Sequence, residues 1–331
     1  MMLAASLLLL FPRSTRADVN ERPNSCLAAV YEACGSDSSS SACLSCAGQH
    51  QSALNAAGCS AAKISTACSI GAKQVPISGL RCNGDHAVWV LTTGDGQPHP
   101  LVSFAHGYTA WNVTTWFPQL LYGMAAQGYT VVATEAGLAG CGQESSDQVR
   151  AMEWALSSPS LAPHINRSAG TAVVGHSMGG GATIGSASNA TAIAAYDIRV
   201  AVAQHPASCM GCNPAIPTLY MTGDADTVVD PNSVLASYTF AHGSEKAFVE
   251  NHGNTHIDAC GWSWLPRTGP RGDWCPQSGP LGRYCTGPNN EDVYVYDWLN
   301  CNLKGDTTAC TRVTSCKEPG NTAVKCLHKI K

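Results

Sequence analysis

The run Thr171-Ala172-Val173-Val174-Gly175-His176-Ser177-Met178-Gly179-Gly180-Gly181 constrains the fold of this chain more than any other stretch. A β-branched apolar segment stops at a serine with a glycine two residues before it and another two after it, and a small-residue stretch, Met178 to Ala190, follows. That order predicts a strand, a sharp turn and a helix lying close on a sheet. So tight a turn leaves room only for glycine at the flanking positions and holds Ser177 exposed at the strand tip. The pattern arises by chance in a chain with 32 glycines, so its weight comes from the strand before it and the helix after it.

From about Arg81 onward, short apolar β-type runs alternate with longer amphipathic stretches. Candidate strands are Ala87 to Leu91, Leu101 to Phe104, Tyr129 to Thr134, Thr171 to Gly175, Val200 to Ala203, Thr218 to Met221 and Lys246 to Glu250. Candidate helices cover Val113 to Gln127, Glu144 to Ser157, Met178 to Ala190, Asn232 to Ala241 and Glu291 to Leu303. Strands alternating with helices predict an α/β fold, a doubly wound and mostly parallel sheet.

A serine hydroxyl is a weak nucleophile at neutral pH, so acyl transfer requires a base beside it and a carboxylate to fix that base's tautomer. In doubly wound hydrolases both follow the serine, on loops after later strands. The loop after Thr218 to Met221 offers Asp224, Asp226 and Asp230. Asp226 is the choice, because Asp224 sits close enough to the strand end to serve the turn and Asp230 before Pro231 reads as a helix N-cap. After Lys246 to Glu250 come His252 and His256, of which His256 lies beyond the Gly253 turn that carries it back over the sheet edge. Backbone N–H groups of Met178 and Tyr108 are the expected oxyanion donors, with Gly107 allowing the approach. Three further histidines, His106, His176 and His205, are placed along the cleft, His176 as a substrate-binding residue.

Seventeen cysteines, six of them between Cys26 and Cys68, exceed what a cytosolic enzyme carries. Residues 18–75 read as a Cys-rich module of two or three short helices stapled by three disulfides, since so few residues cannot build a core unaided. Fifteen pairings are open. Cys43-x-x-Cys46 and Cys209-x-x-Cys212 could be half metal sites, but disulfides suit a secreted chain better. The apolar run Leu3 to Phe11 has signal-peptide length and cannot span a bilayer, so residues 1–17 read as a signal peptide cut after Ala17. Sequons at Asn112, Asn166 and Asn189 accord with a secreted glycoprotein. Losing residues 1–17 removes Arg13, Arg16 and no acid, leaving the chain more acidic than its formal charge of −4, and nucleic acid is excluded as a partner.

Residues 76–331 form the expected catalytic domain, interrupted near 260–290 by a Cys-, Trp- and Pro-rich insertion that reads either as a functional loop or as a disulfide-tied surface loop. Across residues 80 to 311 the chain resembles secreted cutinase-like polyester hydrolases of the α/β-hydrolase fold, relatives of dienelactone-hydrolase-type esterases. The resemblance rests on His106-Gly107-Tyr108-Thr109-Ala110, Gly175-His176-Ser177-Met178-Gly179-Gly180-Gly181, Pro217-Thr218-Leu219 leading to Asp226, Gly253-x-x-His256, and Asp297-Trp298-Leu299 followed by Cys310. It implies a serine esterase, lipase or polyester hydrolase with Ser177, Asp226 and His256 as triad, acting on an ester substrate without cofactor or metal. Two departures stand out. Polyester-active members of that family carry Trp after the Pro where this chain reads Gln204-His205-Pro206-Ala207, and the Cys26 to Cys68 module and the 260–290 insertion lie outside the family pattern. A thioesterase or peptidase would use the same triad, and a catalytically silent adhesion or binding protein is the alternative from another class. Oligomeric state is left open by these features.

Overall fold

In the computed structural model, residues 25–34, 40–82, 87–108, 113–135, 142–243, 245–257, 291–316 and 323–329 are described. The proposed signal peptide, Asn112 and the 260–290 insertion lie outside them. Nine strands form one sheet in the order β1-β2-β4-β3-β5-β6-β7-β8-β9. The strands are β1 (Gly71–Pro76), β2 (Ala87–Thr92), β3 (Leu101–Ala105), β4 (Thr130–Glu135), β5 (Thr171–His176), β6 (Ile198–Gln204), β7 (Thr218–Gly223), β8 (Lys246–Asn251) and β9 (Ala323–Lys329). Pairings from β4 through β8 are parallel, while β1, β2 and β9 run antiparallel to their neighbours. The α/β, mostly parallel sheet expected from the sequence is the one observed.

Alternation along each central strand sends side chains to opposite faces. On β3, Val102 and Phe104 join one buried cluster and Leu101 the other, while the Ser103 hydroxyl donates to the Gln148 carbonyl at 2.8 Å. Helices cover both faces, which is why the central strands are apolar almost throughout. One face carries α5 (Val113–Trp116), α6 (Pro118–Ala126) and α11 (Asp292–Lys304), with Leu121, Tyr122 and Trp298 in the core. The opposite face is covered by α7 (Glu144–Ser157) and α9 (Ala190–Tyr196). The single helix expected over Val113 to Gln127 breaks at Phe117, because Pro118 has no N–H to continue it and instead opens α6.

The N-terminal region folds as four short helices, α1 (Ser25–Cys34), α2 (Ser40–Gln49), α3 (Gln51–Ala56) and α4 (Ala61–Ser69), rather than two or three. Its disulfides are Cys26–Cys59, Cys34–Cys46 and Cys43–Cys68. Cys209 and Cys212 bond to each other, and Cys301–Cys310 and Cys316–Cys326 secure α11, α12 (Thr307–Ser315) and β9. Cys26, Val30, Leu54 and Ile70 share a continuous buried cluster with Leu121, Tyr122 and Trp298. The helical region therefore packs on one face of the sheet, and β1, directly after it, adds the first strand.

Candidate active site

Strands β5, β7 and β8 each end in a loop on the same edge of the sheet, and each loop brings one polar group to a common point. Ser177, between β5 and α8 (Met178–Ser188), has φ 58° and ψ −119°. That left-handed conformation is costly for a side chain other than glycine, of order 1–3 kcal/mol. The flanking glycines have no positive φ; their role is close approach. A Cβ on Gly175 would stand 2.2 Å from the Gly179 carbonyl oxygen, and one on Gly179 would stand 2.0 Å from that of Ala105. Gly107 approaches the turn from β3, where an added Cβ would lie 2.9 Å from Ser177 Cβ.

The Ser177 hydroxyl lies 2.8 Å from His256 Nε2, and His256 Nδ1 lies 2.9 Å from Asp226 Oδ2. All three residues are buried. With its Nδ1–H donated to a carboxylate, the His256 ring presents an unprotonated Nε2 to the serine. Asp226 Oδ1 accepts from the backbone N–H groups of Val228 and Val229 at 2.8 and 2.9 Å, which fixes the carboxylate on the β7 loop. Burial alone would raise the Asp226 pKa, but hydrogen bonds from His205 and His256, and the charge they bring, hold it well below the ordinary carboxylate range.

Asp224 instead accepts from His252 Nδ1 at 2.8 Å and from the Gly253 N–H at 2.6 Å, bracing the turn whose Gly253 takes φ 73°. Asp230 caps α10 (Pro231–Phe240), accepting from the Asn232 N–H at 2.9 Å. Met178 opens α8, so its N–H is one of the helix's first four and lacks an intrahelical acceptor. Tyr108 follows the Gly107 contact and is 60% exposed.

The three remaining histidines are buried. His106 Nδ1 donates to the Gly107 carbonyl at 2.6 Å, steadying the loop after β3. His176 Nε2 donates to the His256 carbonyl at 2.7 Å, tying the two loops together. Burial, reinforced by the nearby His256 and His205, pushes the His176 pKa well down and keeps the ring neutral.

His205 also touches Asp226, with Nδ1 2.7 Å from the same Oδ2 that His256 bonds, and its Nε2 lies 3.1 Å from both carboxylate oxygens of Glu291. The sequence placed His205 along the cleft and did not reach Glu291, which stands 86 residues away in the chain. The one available signal was an acidic pair, Glu291-Asp292, opening a helix. Ligating atoms of His205, Asp226 and His256 lie within 4.8 Å of one another, a grouping able to hold a metal ion. Their 2.7 and 2.9 Å separations, however, are those of N–H···O hydrogen bonds.

In comparison with known protein families, residues 52–263 match PETase, described as PET hydrolase-like. Among curated proteins there is no match.

Proposed function

The chain belongs to the PET hydrolase-like family and is an ester hydrolase; we propose that it cleaves carboxylic esters through an acyl-enzyme formed on Ser177. The observation carrying this reading is the unbroken hydrogen-bonded line from the Ser177 hydroxyl through His256 to Asp226, at 2.8 and 2.9 Å, on a turn strained to φ 58°. Ser177 Oγ attacks the ester carbonyl carbon while its proton passes to His256 Nε2. Asp226 stabilises the imidazolium that results. The developing oxyanion accepts from the N–H groups of Met178 and Tyr108. Collapse expels the alcohol, protonated by His256, and the same base then activates water to release the acid.

Exposed Tyr108 follows Gly107, which closes on Ser177, and exposed Val228 donates its N–H to Asp226, so apolar side chains stand beside the site, which favours an apolar ester presented at the surface, a lipid or a polyester. Ala207 donates its N–H to the Ser177 carbonyl at 2.8 Å, so the position that carries Trp in polyester-active members lies beside the nucleophile without a ring. The disulfides among the described residues support an extracellular setting. Ser177→Ala should abolish both turnover of a short-chain chromogenic ester and labelling by a fluorophosphonate, with the fold retained. Labelling that persisted on another serine would refute the assignment. An unsubstituted chain with neither activity nor label would return the silent binding protein.

A further inference from the structure

His205 is the first residue beyond β6 and takes φ 44°, a conformation that only a surrounding structure can impose on a non-glycine residue. Its side chain is 0% exposed and Glu291 is 1% exposed. An ionised carboxylate only accepts hydrogen bonds. With Nδ1 against Asp226 and Nε2 against Glu291, both ring nitrogens must donate, so the geometry itself calls for an imidazolium between two carboxylates. Glu291 is held by amides from three places. Asn254 Nδ2 lies 3.2 Å away, Asn251 Nδ2 3.4 Å, and Gln204 Nε2 3.5 Å.

We propose that His205 and Glu291 form a buried ion pair that positions and charge-balances Asp226, extending the line Ser177–His256–Asp226 by two members. The proposal rests on the serine-hydrolase reading above. His205 and Glu291 are positioning residues, since neither reaches the serine. A cation alone behind Asp226 would weaken its hold on a protonated His256, whose ring centroid is 5.6 Å from that of His205. Glu291 supplies the compensating negative charge, so Asp226, His205 and Glu291 together carry the single negative charge that a lone aspartate would. Once His256 takes the serine proton, the four groups sum to zero in a buried site. The other titratable neighbours do not disturb this balance. His176, 5.8 Å away between ring centroids, is held neutral, and burial and the neighbouring Glu291 push the Asp292 pKa well up, which disfavours a further negative charge there. Glu291 and Asp226 together overcome the effect of burial on His205 and push it up to about 10.

The pair makes opposite predictions for its two halves. Glu291→Gln keeps the shape and removes the balancing charge, so the acid limb of the kcat–pH profile on a soluble ester should move to lower pH by about one unit. His205→Asn keeps a donor towards Asp226 and removes the cation, so that limb should move to higher pH by a similar amount. KM should change less than about threefold in both, because neither side chain meets substrate. In the unsubstituted protein, nitrogen NMR of labelled histidine should show both His205 nitrogens protonated from pH 5 to about 9. Shifts in the same direction, or none in folded variants, would overturn the proposal. So would a neutral His205 at pH 8, a result that needs no variant to fold. Absence of both turnover and labelling in the unsubstituted chain would overturn the hydrolase reading and with it the role of the pair, an outcome distinct from an active enzyme whose profiles fail to move.

Discussion

At the residue scale, two non-glycine residues with positive φ, Ser177 at 58° and His205 at 44°, end the neighbouring strands β5 and β6. Their backbones are joined through the Ser177 N–H, which donates to the Gln204 carbonyl at 2.9 Å. Three nearby aspartates occupy different environments, and substitution separates them. Asp226→Asn should lower kcat by about four orders of magnitude by spoiling the tautomer of its histidine. Asp224→Asn and Asp230→Asn should stay within about tenfold, since they brace a turn and cap a helix. An inactive Asp224→Asn variant would overturn the assignment of Asp226. His205 also links stability to pH. An unfolded imidazole titrates near ~6.5, whereas His205 in the fold is pushed up to about 10, with Glu291 and Asp226 outweighing burial. The folded state holds this proton more tightly, so the contribution is complete below pH ~6.5 and is lost as pH rises through about 10. The melting temperature should decline over that window, and His205→Asn should flatten the decline. Equal slopes in the two proteins would contradict the linkage.

At the element scale, the seven central strands were legible because burial on both faces demands continuous apolar runs. The edge strands β1 and β9 were not. β1 reads GAKQVP and is mostly exposed, β9 reads AVKCLHK, and each pairs through one side only. Charged and polar edges suppress association with other chains, and they also erase the apolar signature of a strand. The turn from β5 into α8 was legible for a different reason, since its glycines are required by contact. Gly179→Ala would force a methyl to within 2.0 Å of the Ala105 carbonyl oxygen, which is backbone and cannot step aside. The expected cost is more than about 3 kcal/mol, read as a large fall in denaturation midpoint. Gly96→Ala is a useful contrast, because nothing lies within 4 Å and only its φ of 71° opposes the change.

On the scale of the whole molecule, the boundary proposed at residues 75 and 76 falls within β1, and the helices before it share a buried cluster with α6 and α11. The loops carrying Ser177, Asp226 and His256 lie outside that region. A chain beginning at Ile77 should therefore melt well below the full chain while keeping its rate on a soluble ester within about threefold. One beginning at Gly71 should recover only the part due to β1. Loss on insoluble substrate beyond loss on soluble ester would identify the module as an accessory binding domain acting by tethering. An Ile77 chain as stable as the full one would show the module to be energetically separate. Verified reduction should also lower the melting temperature, because Cys26–Cys59, Cys34–Cys46 and Cys43–Cys68 staple helices too short to stand alone.

The amino-acid order by itself determined the α/β class, the strand-turn-helix around Ser177 and the loops that hold Asp226 and His256. These are local signals, carried by apolar periodicity, by glycines that contact demands, and by the order in which polar residues follow strands. Only the tertiary structure decided which cysteines pair in the helical region, since their spacing allowed fifteen connectivities. It alone brought Glu291 to His205 across 86 residues. No periodicity records such a meeting, because a buried ion pair is specified by where two strand ends and a helix start converge, and that point exists only after the sheet has formed.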